Sequence, residues 1–82
     1  AMMHQKEQNK QHPVYRLFNT RTGTIRKHHQ RGKISDDLRR EALYLAESYR
    51  DKALLDNGYA ADGYVRDMEL EHIYAEAEKR LK

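Results

Sequence analysis

Apolar residues recur at helical spacing in the second half of the chain. Ser35 is predicted to be a helix N-cap, because Asp36 and Asp37 follow it in a first turn, where carboxylates suit the exposed amides. Asn57 and Gly58 supply a stop signal. The pattern therefore predicts a helix over residues 35–56. Its apolar stripe spans about 80° of a helical wheel and comprises Leu38, Ala42, Leu45, Tyr49 and Ala53.

A second helix is predicted over residues 62–81, with Asp62 as its N-cap and no interruption from residue 64 onward. A short turn joins the two helices, so we expect them to pack antiparallel and to bury one face each. The second helix has two apolar faces. One comprises Leu70, Ile73, Tyr74, Ala77 and Leu81, and the other comprises Val65, Met68, His72 and Ala75.

The second apolar face of this helix needs a cover of its own. The N-terminal segment of the chain could supply it, or a second copy of the protein could. Small domains with thin cores often gain stability by oligomerising, so we expect self-association. The residues expected at the dimer or partner interface are Leu70, Ile73, Tyr74, Ala77, Leu81, Tyr44 and Leu55.

The N-terminal part of the chain has a different composition. Residues 14–18 and 22–26 are the stretches richest in strand formers, and a loop over residues 19–23, with Gly23 at its end, connects them. This arrangement predicts a short β-hairpin, with a single helical turn at residues 14–18 as the alternative. Residues 28–34 are predicted to be a basic linker. The polar residues 1–13 are expected to be a disordered tail, with Ala1 a vector remnant.

The expected fold is therefore mainly α, in the order ββαα. A basic β-hairpin or extended arm over residues 14–34 precedes a helical hairpin over residues 35–82. The 82 residues fit one small domain, and Leu, Ile, Val and Phe supply only 14 of them, so the core is thin. Since the chain has no cysteine, it has no disulfide, thiolate nucleophile or cysteine zinc site. No membrane span or signal-peptide pattern is evident, which predicts a cytoplasmic protein.

Charge is distributed unevenly along the chain. Residues 1–33 carry eight Lys or Arg and one acidic residue, whereas residues 34–82 carry eight Lys or Arg and twelve acidic residues. The net charge of +3 therefore conceals a basic arm and an acidic body. An arm of this kind is typical of proteins that bind polyanions.

Residues that could support catalysis or metal binding are few. Ser35 is better explained as a cap, and Ser48 has no obvious base beside it. Glu69 and His72 have the Glu-x-x-His spacing of di-iron bundles, but the partner carboxylates fall on the wrong face of the first helix. His28 and His29 lack a third ligand. We therefore expect neither an enzyme nor a metal site, and no cofactor.

Phosphate recognition is the strongest chemical signal in the sequence. Basic side chains neutralise phosphates, and a two-stranded ribbon fits the DNA major groove. The sequence thus predicts a small, non-enzymatic regulatory or accessory protein that binds DNA or RNA and dimerises through its helices. The predicted nucleic-acid contacts are Arg16, Arg21, Arg26, Lys27, Arg31 and Lys33, with Tyr15 or Phe18 stacking or supporting.

A protein-binding adaptor or inhibitor is the alternative function. Tyrosine is enriched at protein interfaces, and a tyrosine-rich helical surface could dock on a larger enzyme. Its members would be Tyr44, Tyr49, Tyr59, Tyr64 and Tyr74.

Overall fold

The computed structural model describes residues 13–55 and 63–82, and this part of the chain is helical. Four helices follow one another in these ranges. They are α1 (Pro13–Gln30), α2 (Asp36–Leu55), α3 (Gly63–Asp67) and α4 (Leu70–Leu81). The stop at Asn57-Gly58 and the cap at Asp62 lie outside the described residues, as does the predicted tail up to residue 12.

The predicted β-hairpin at residues 14–27 is wrong, because helix α1 occupies this segment. Pro13 takes the first helical position, where its missing N–H costs nothing. Val14, Thr22 and Ile25 are buried at helical spacing. The threonines also suit the helix, since Thr20 donates a hydrogen bond to the Arg16 carbonyl at 3.0 Å. Burial of one face therefore outweighs the local preference for a strand.

Helix α1 continues through the segment predicted as a basic linker and ends at Gln30. Gly32 has a φ of +74°, the left-handed conformation that favours glycine. The Gly32 amide donates to the His29 carbonyl at 3.0 Å, and the Lys33 amide donates to the His28 carbonyl at 2.9 Å. This pair of bonds is a Schellman motif, and it turns the chain toward α2.

Helix α2 begins as predicted. The Ser35 hydroxyl accepts a hydrogen bond from the Leu38 amide at 3.1 Å, which is the geometry of an N-cap. Asp36 binds Arg39 at 2.6 Å and Arg40 at 2.8 Å in the first turn. These two guanidinium groups hold the pKa of Asp36 at about 2, below its usual 3.8. The predicted stripe faces the core: its members Ala42, Leu45 and Ala53 are buried, and Leu38 and Tyr49 pack against them.

The prediction of an uninterrupted second helix is wrong, because the helix is broken between α3 and α4. Glu69 is extended, with φ −64° and ψ 133°. On a continuous helix Met68 and Ala77 would lie nine residues apart and so face opposite sides, about 180° apart. The break removes this conflict, and both side chains are fully buried in one core.

The three longer helices pack in an up-down-up arrangement. Arg80 of α4 pairs with Glu41 of α2, and the rings of Tyr49 and His72 lie 5.6 Å apart. Their register shows that α2 and α4 run antiparallel, as predicted for the helical hairpin. Helix α1 is also antiparallel to α2, since Nε2 of His29, in the last turn of α1, lies 3.5 Å from Oδ1 of Asp36 at the start of α2. The predicted dimer-interface residues Ile73 and Ala77 belong to this core, which is closed within one chain.

Candidate nucleic-acid interface

The outward face of α1 carries the basic residues. At 100° per residue, Arg16, Thr20, Gly23 and Lys27 lie within about 60° of one another. The Arg16, Thr20 and Lys27 side chains are exposed. Eleven residues separate Arg16 from Lys27, which is about 16 Å along the axis at 1.5 Å per residue. Arg26 is exposed on the flank of this line.

The turn after α1 extends the same positive surface. Arg31 and Lys33 are both exposed there. The sequence has no acidic residue from position 13 to position 35, so this part of the chain supplies no counter-charge. We call the exposed cations of α1 and the following turn the basic face. They are Arg16, Arg26, Lys27, Arg31 and Lys33.

None of the five cations of the basic face forms an ion pair with any residue of ranges 13–55 and 63–82. Most cations of the later helices, in contrast, do form ion pairs. Arg39 and Arg40 share Asp36, Arg50 binds Asp51 at 2.8 Å, and Lys79 lies 3.4 Å from Glu76. The basic face therefore carries positive charge that the described fold does not neutralise.

Arg21 is on α1 but is not part of the basic face. Its side chain is partly buried, and its Nε donates a hydrogen bond to the Met68 carbonyl at 2.6 Å. In a continuous helix that carbonyl would accept from the amide of residue 72, but the ladder of α4 starts with the Ile73 amide on the Glu69 carbonyl. At the break between α3 and α4, Arg21 thus takes the place of the residue 72 amide as the donor to the Met68 carbonyl.

The two aromatic residues predicted to stack bases lie toward the core. Tyr15 and Phe18 are partly buried and pack against the core residues. The Arg50 guanidinium lies 4.4 Å from the Phe18 ring centroid and 5.8 Å from that of Tyr15. This placement leaves both rings engaged with α2.

The histidine pair at the end of α1 has partners within the fold. His28 Nδ1 lies 2.8 Å from the Tyr74 hydroxyl, and His29 lies 3.5 Å from Asp36. Burial raises the pKa of Tyr74. Both histidines therefore join α1 to the other helices rather than forming a solvated linker.

The Glu69-x-x-His72 pattern does not assemble a metal site in the described part of the chain. His72 Nε2 lies 3.8 Å from Asp67 Oδ1, and its ring is tilted by 47° against the ring of Tyr49. Within the described ranges, no three His, Asp or Glu side chains converge on one point.

Burial, with Glu76 and Asp67 adding negative charge nearby, raises the pKa of Tyr49.

The residues predicted for a dimer or partner surface divide into two groups. Leu70 and Tyr74 are partly buried against the core. Tyr44, Leu55 and Leu81 are exposed, although the Arg80 guanidinium lies 5.4 Å from the centre of the Tyr44 ring. Tyr49 and Tyr64 are partly buried, and Tyr59 lies outside the described residues.

A groove adjoins the basic face and was not predicted. It has a volume of about 360 Å³ and lies where the first turns of α1 meet α3. Its walls are mostly apolar, and no sequence pattern connects its lining residues on the two helices, which lie at least 44 positions apart in the sequence. The lining residues are Pro13, Arg16, Leu17, Thr20, Tyr64 and Val65.

Comparison with known proteins places the chain in a family. No curated protein and no solved structure matches it. No helix among the described residues is long and apolar enough to cross a membrane. The model of a family of unknown function, DUF6076, matches residues 1–80. The chain belongs to this family.

Proposed function

We propose that the protein is a small, non-enzymatic regulatory or accessory protein that binds nucleic acid through the basic face. The observation that carries the proposal is the contrast in ion pairing. Five exposed cations on α1 and the following turn have no acidic partner among the described residues. Free Lys and Arg side chains on one face are what phosphate binding requires, since each one can replace a condensed counterion.

The shape of this surface also suits the backbone of a nucleic acid. Arg16 and Lys27 lie about 16 Å apart along the axis of α1. Thr20 lies between them, and its hydroxyl, which donates to the Arg16 carbonyl in the free protein, would turn this one hydrogen bond to a phosphate oxygen. A single α-helix fits the major groove of duplex DNA, so the proposal no longer needs the two-stranded ribbon that the sequence predicted.

Self-association stays a prediction, on a smaller surface than expected. Ile73 and Ala77 are buried inside one chain, so they cannot form an interface without unfolding it. Of the second apolar face of the predicted helix, Met68 is buried and His72 is partly buried, whereas Val65 and Ala75 are exposed. Exposed apolar residues remain available for a second copy, namely Tyr44, Leu55 and Leu81.

The proposal is tested by the affinity for labelled nucleic acid, measured by fluorescence anisotropy over a salt series. If all five cations contact phosphate, the slope of log K against log salt approaches about −4.5 on duplex DNA and about −3.5 on a single strand. Replacing Arg26, Lys27 and Arg31 together by Ala should weaken binding at least roughly tenfold in 50 mM salt and flatten the single-strand slope by about 2.

A charge-matched control removes three cations elsewhere. Lys52, Lys79 and Lys82 are exposed on α2 and at the end of α4, and replacing them by Ala changes the net charge by the same amount. We expect this control to bind within about threefold of the original protein. Equal losses in both triple variants would show a diffuse charge effect and overturn the proposal. If neither strand binds at low salt, the adaptor function becomes the better explanation.

A further inference from the structure

We infer that the groove between α1 and α3 binds an unpaired base, so that the preferred ligand is a single-stranded nucleic acid. The inference rests on the proposed function, because the basic face must hold the phosphates of the same strand. It names the ligand class that the basic face by itself leaves open.

The groove and the basic face share residues, which is the first reason. Arg16 and Thr20 line the groove and also begin the outward line of α1 that ends at Lys27. A strand whose phosphates follow that line therefore passes the mouth of the groove. Arg16, which is exposed and has no ion pair among the described residues, is placed to bind a phosphate at this point.

The second reason is the chemistry of the walls. The lining is mostly apolar, and it includes the ring of Tyr64, the ring of Pro13 and the side chain of Val65, which is 39% exposed. Bases have apolar faces that gain from stacking and from leaving water, and this contact tolerates any sequence. In a duplex the bases already stack on each other, so an apolar groove beside a cationic helix favours an unpaired strand.

The charge around the groove fits the same occupant. An apolar protein segment could fill the groove as well, but it would leave the adjoining cations of α1 without counter-charges. A single strand supplies both parts, a flat apolar base for the groove and one negative charge per nucleotide for the helix.

The test compares two strands of equal charge. One is oligo-dT of roughly 12 nucleotides, a length within the range that single-strand sites cover. The other is an abasic strand of the same length, with the sugar-phosphate backbone and no bases. The original protein should bind oligo-dT about tenfold more tightly than the abasic strand at the same salt concentration.

Three substitutions test whether the preference for oligo-dT arises in the groove. Val65→Asp places a carboxylate on the wall of the groove and should abolish the preference for oligo-dT. Leu81→Asp is the matched control, because Leu81 is similarly exposed at 47% and lies at the far end of α4. It should keep the preference. Val65→Thr conserves the shape of the exposed side chain and replaces one methyl group by a hydroxyl, so it keeps α3 intact and should reduce the preference by about two- to fivefold.

Each result distinguishes the inference from the proposed function. Equal binding of both strands by the original protein would overturn the groove inference and leave the phosphate contacts of the basic face standing. A preference for oligo-dT that persists in both Val65 variants would overturn the location in the groove. If neither strand binds, the proposed function fails and the inference fails with it.

Discussion

Replacing Arg21 by Ala should destabilise the protein. The neighbours of Arg21 on α1 include exposed basic residues, whose replacement we expect to leave the stability nearly unchanged. The Nε of Arg21 donates to the Met68 carbonyl at 2.6 Å, at the break between α3 and α4. The fully buried Met68 side chain depends on this break. Leaving a buried acceptor without its donor costs about 1–3 kcal/mol. Because Arg21 is only partly buried, water can replace part of the bond, and we expect a loss of about 1–2 kcal/mol.

Thermal unfolding followed by circular dichroism measures this loss. For a domain of this size each kcal/mol corresponds to about 4–8 °C in Tm, so Arg21→Ala should lower Tm by at least about 4 °C. Arg16→Ala is the matched control on the same helix, since it makes the same change in charge at an exposed residue that has no ion pair in the described ranges. It should change stability by less than about 0.5 kcal/mol. Equal Tm values for the two variants would refute the role assigned to Arg21.

Two further predictions concern stability. Gly23 lies in the middle of α1, and a Cβ built there meets no neighbouring atom within 4 Å. Gly23→Ala should therefore raise the free energy of unfolding by about 0.5–1 kcal/mol in urea denaturation, and an unchanged or lower value would contradict a helical position with open space for a Cβ. The pKa of Asp36 is lowered to about 2, so its stabilising contribution is present above its unfolded pKa near 4 and is lost as the pH falls toward 2. Between pH 4 and pH 2 the Tm of the original protein should fall more steeply than that of Asp36→Asn, and parallel curves would show that the pairs with Arg39 and Arg40 contribute nothing.

Local signals were sufficient to predict α2. Its N-cap is a short-range feature, because the Ser35 hydroxyl and the Leu38 amide that it accepts from are three residues apart. Its stripe repeats often enough to fix the buried face. The antiparallel pairing of α2 with α4 agrees with the prediction, although 14 residues that include α3 lie between these helices in place of the expected short turn.

Local signals were misleading for α1. Its Val, Thr and Ile residues favour strands, and Gly23 resembles a turn residue. The helix forms because Val14, Phe18, Thr22 and Ile25 recur at a period of about 3.6 and meet the faces of α2 and α4. The period was present in the sequence, and the second predicted helix had a spare apolar face, but the local preference for strands outweighed both signals in the prediction.

The break at Glu69 had no signal in the sequence. No proline or glycine marks it, and Arg21, which satisfies the Met68 carbonyl there, lies 47 residues away. The consequence for function is large, because Arg21 leaves the set of phosphate contacts and Met68 of the second apolar face becomes core. The groove beside Val65 depends on the same tertiary arrangement, so it too required the structure.

The most direct test of the central claim is to observe which amides respond when nucleic acid binds. A titration of ¹⁵N-labelled protein with oligo-dT, followed by heteronuclear NMR, gives this at each residue. The basic face predicts that the largest shifts occur at Arg16, Thr20, Gly23 and Lys27 and in the turn at Arg31–Lys33, with small shifts along α2. Shifts confined to α2 and the end of α4, or no shifts at low salt, would contradict binding through the basic face.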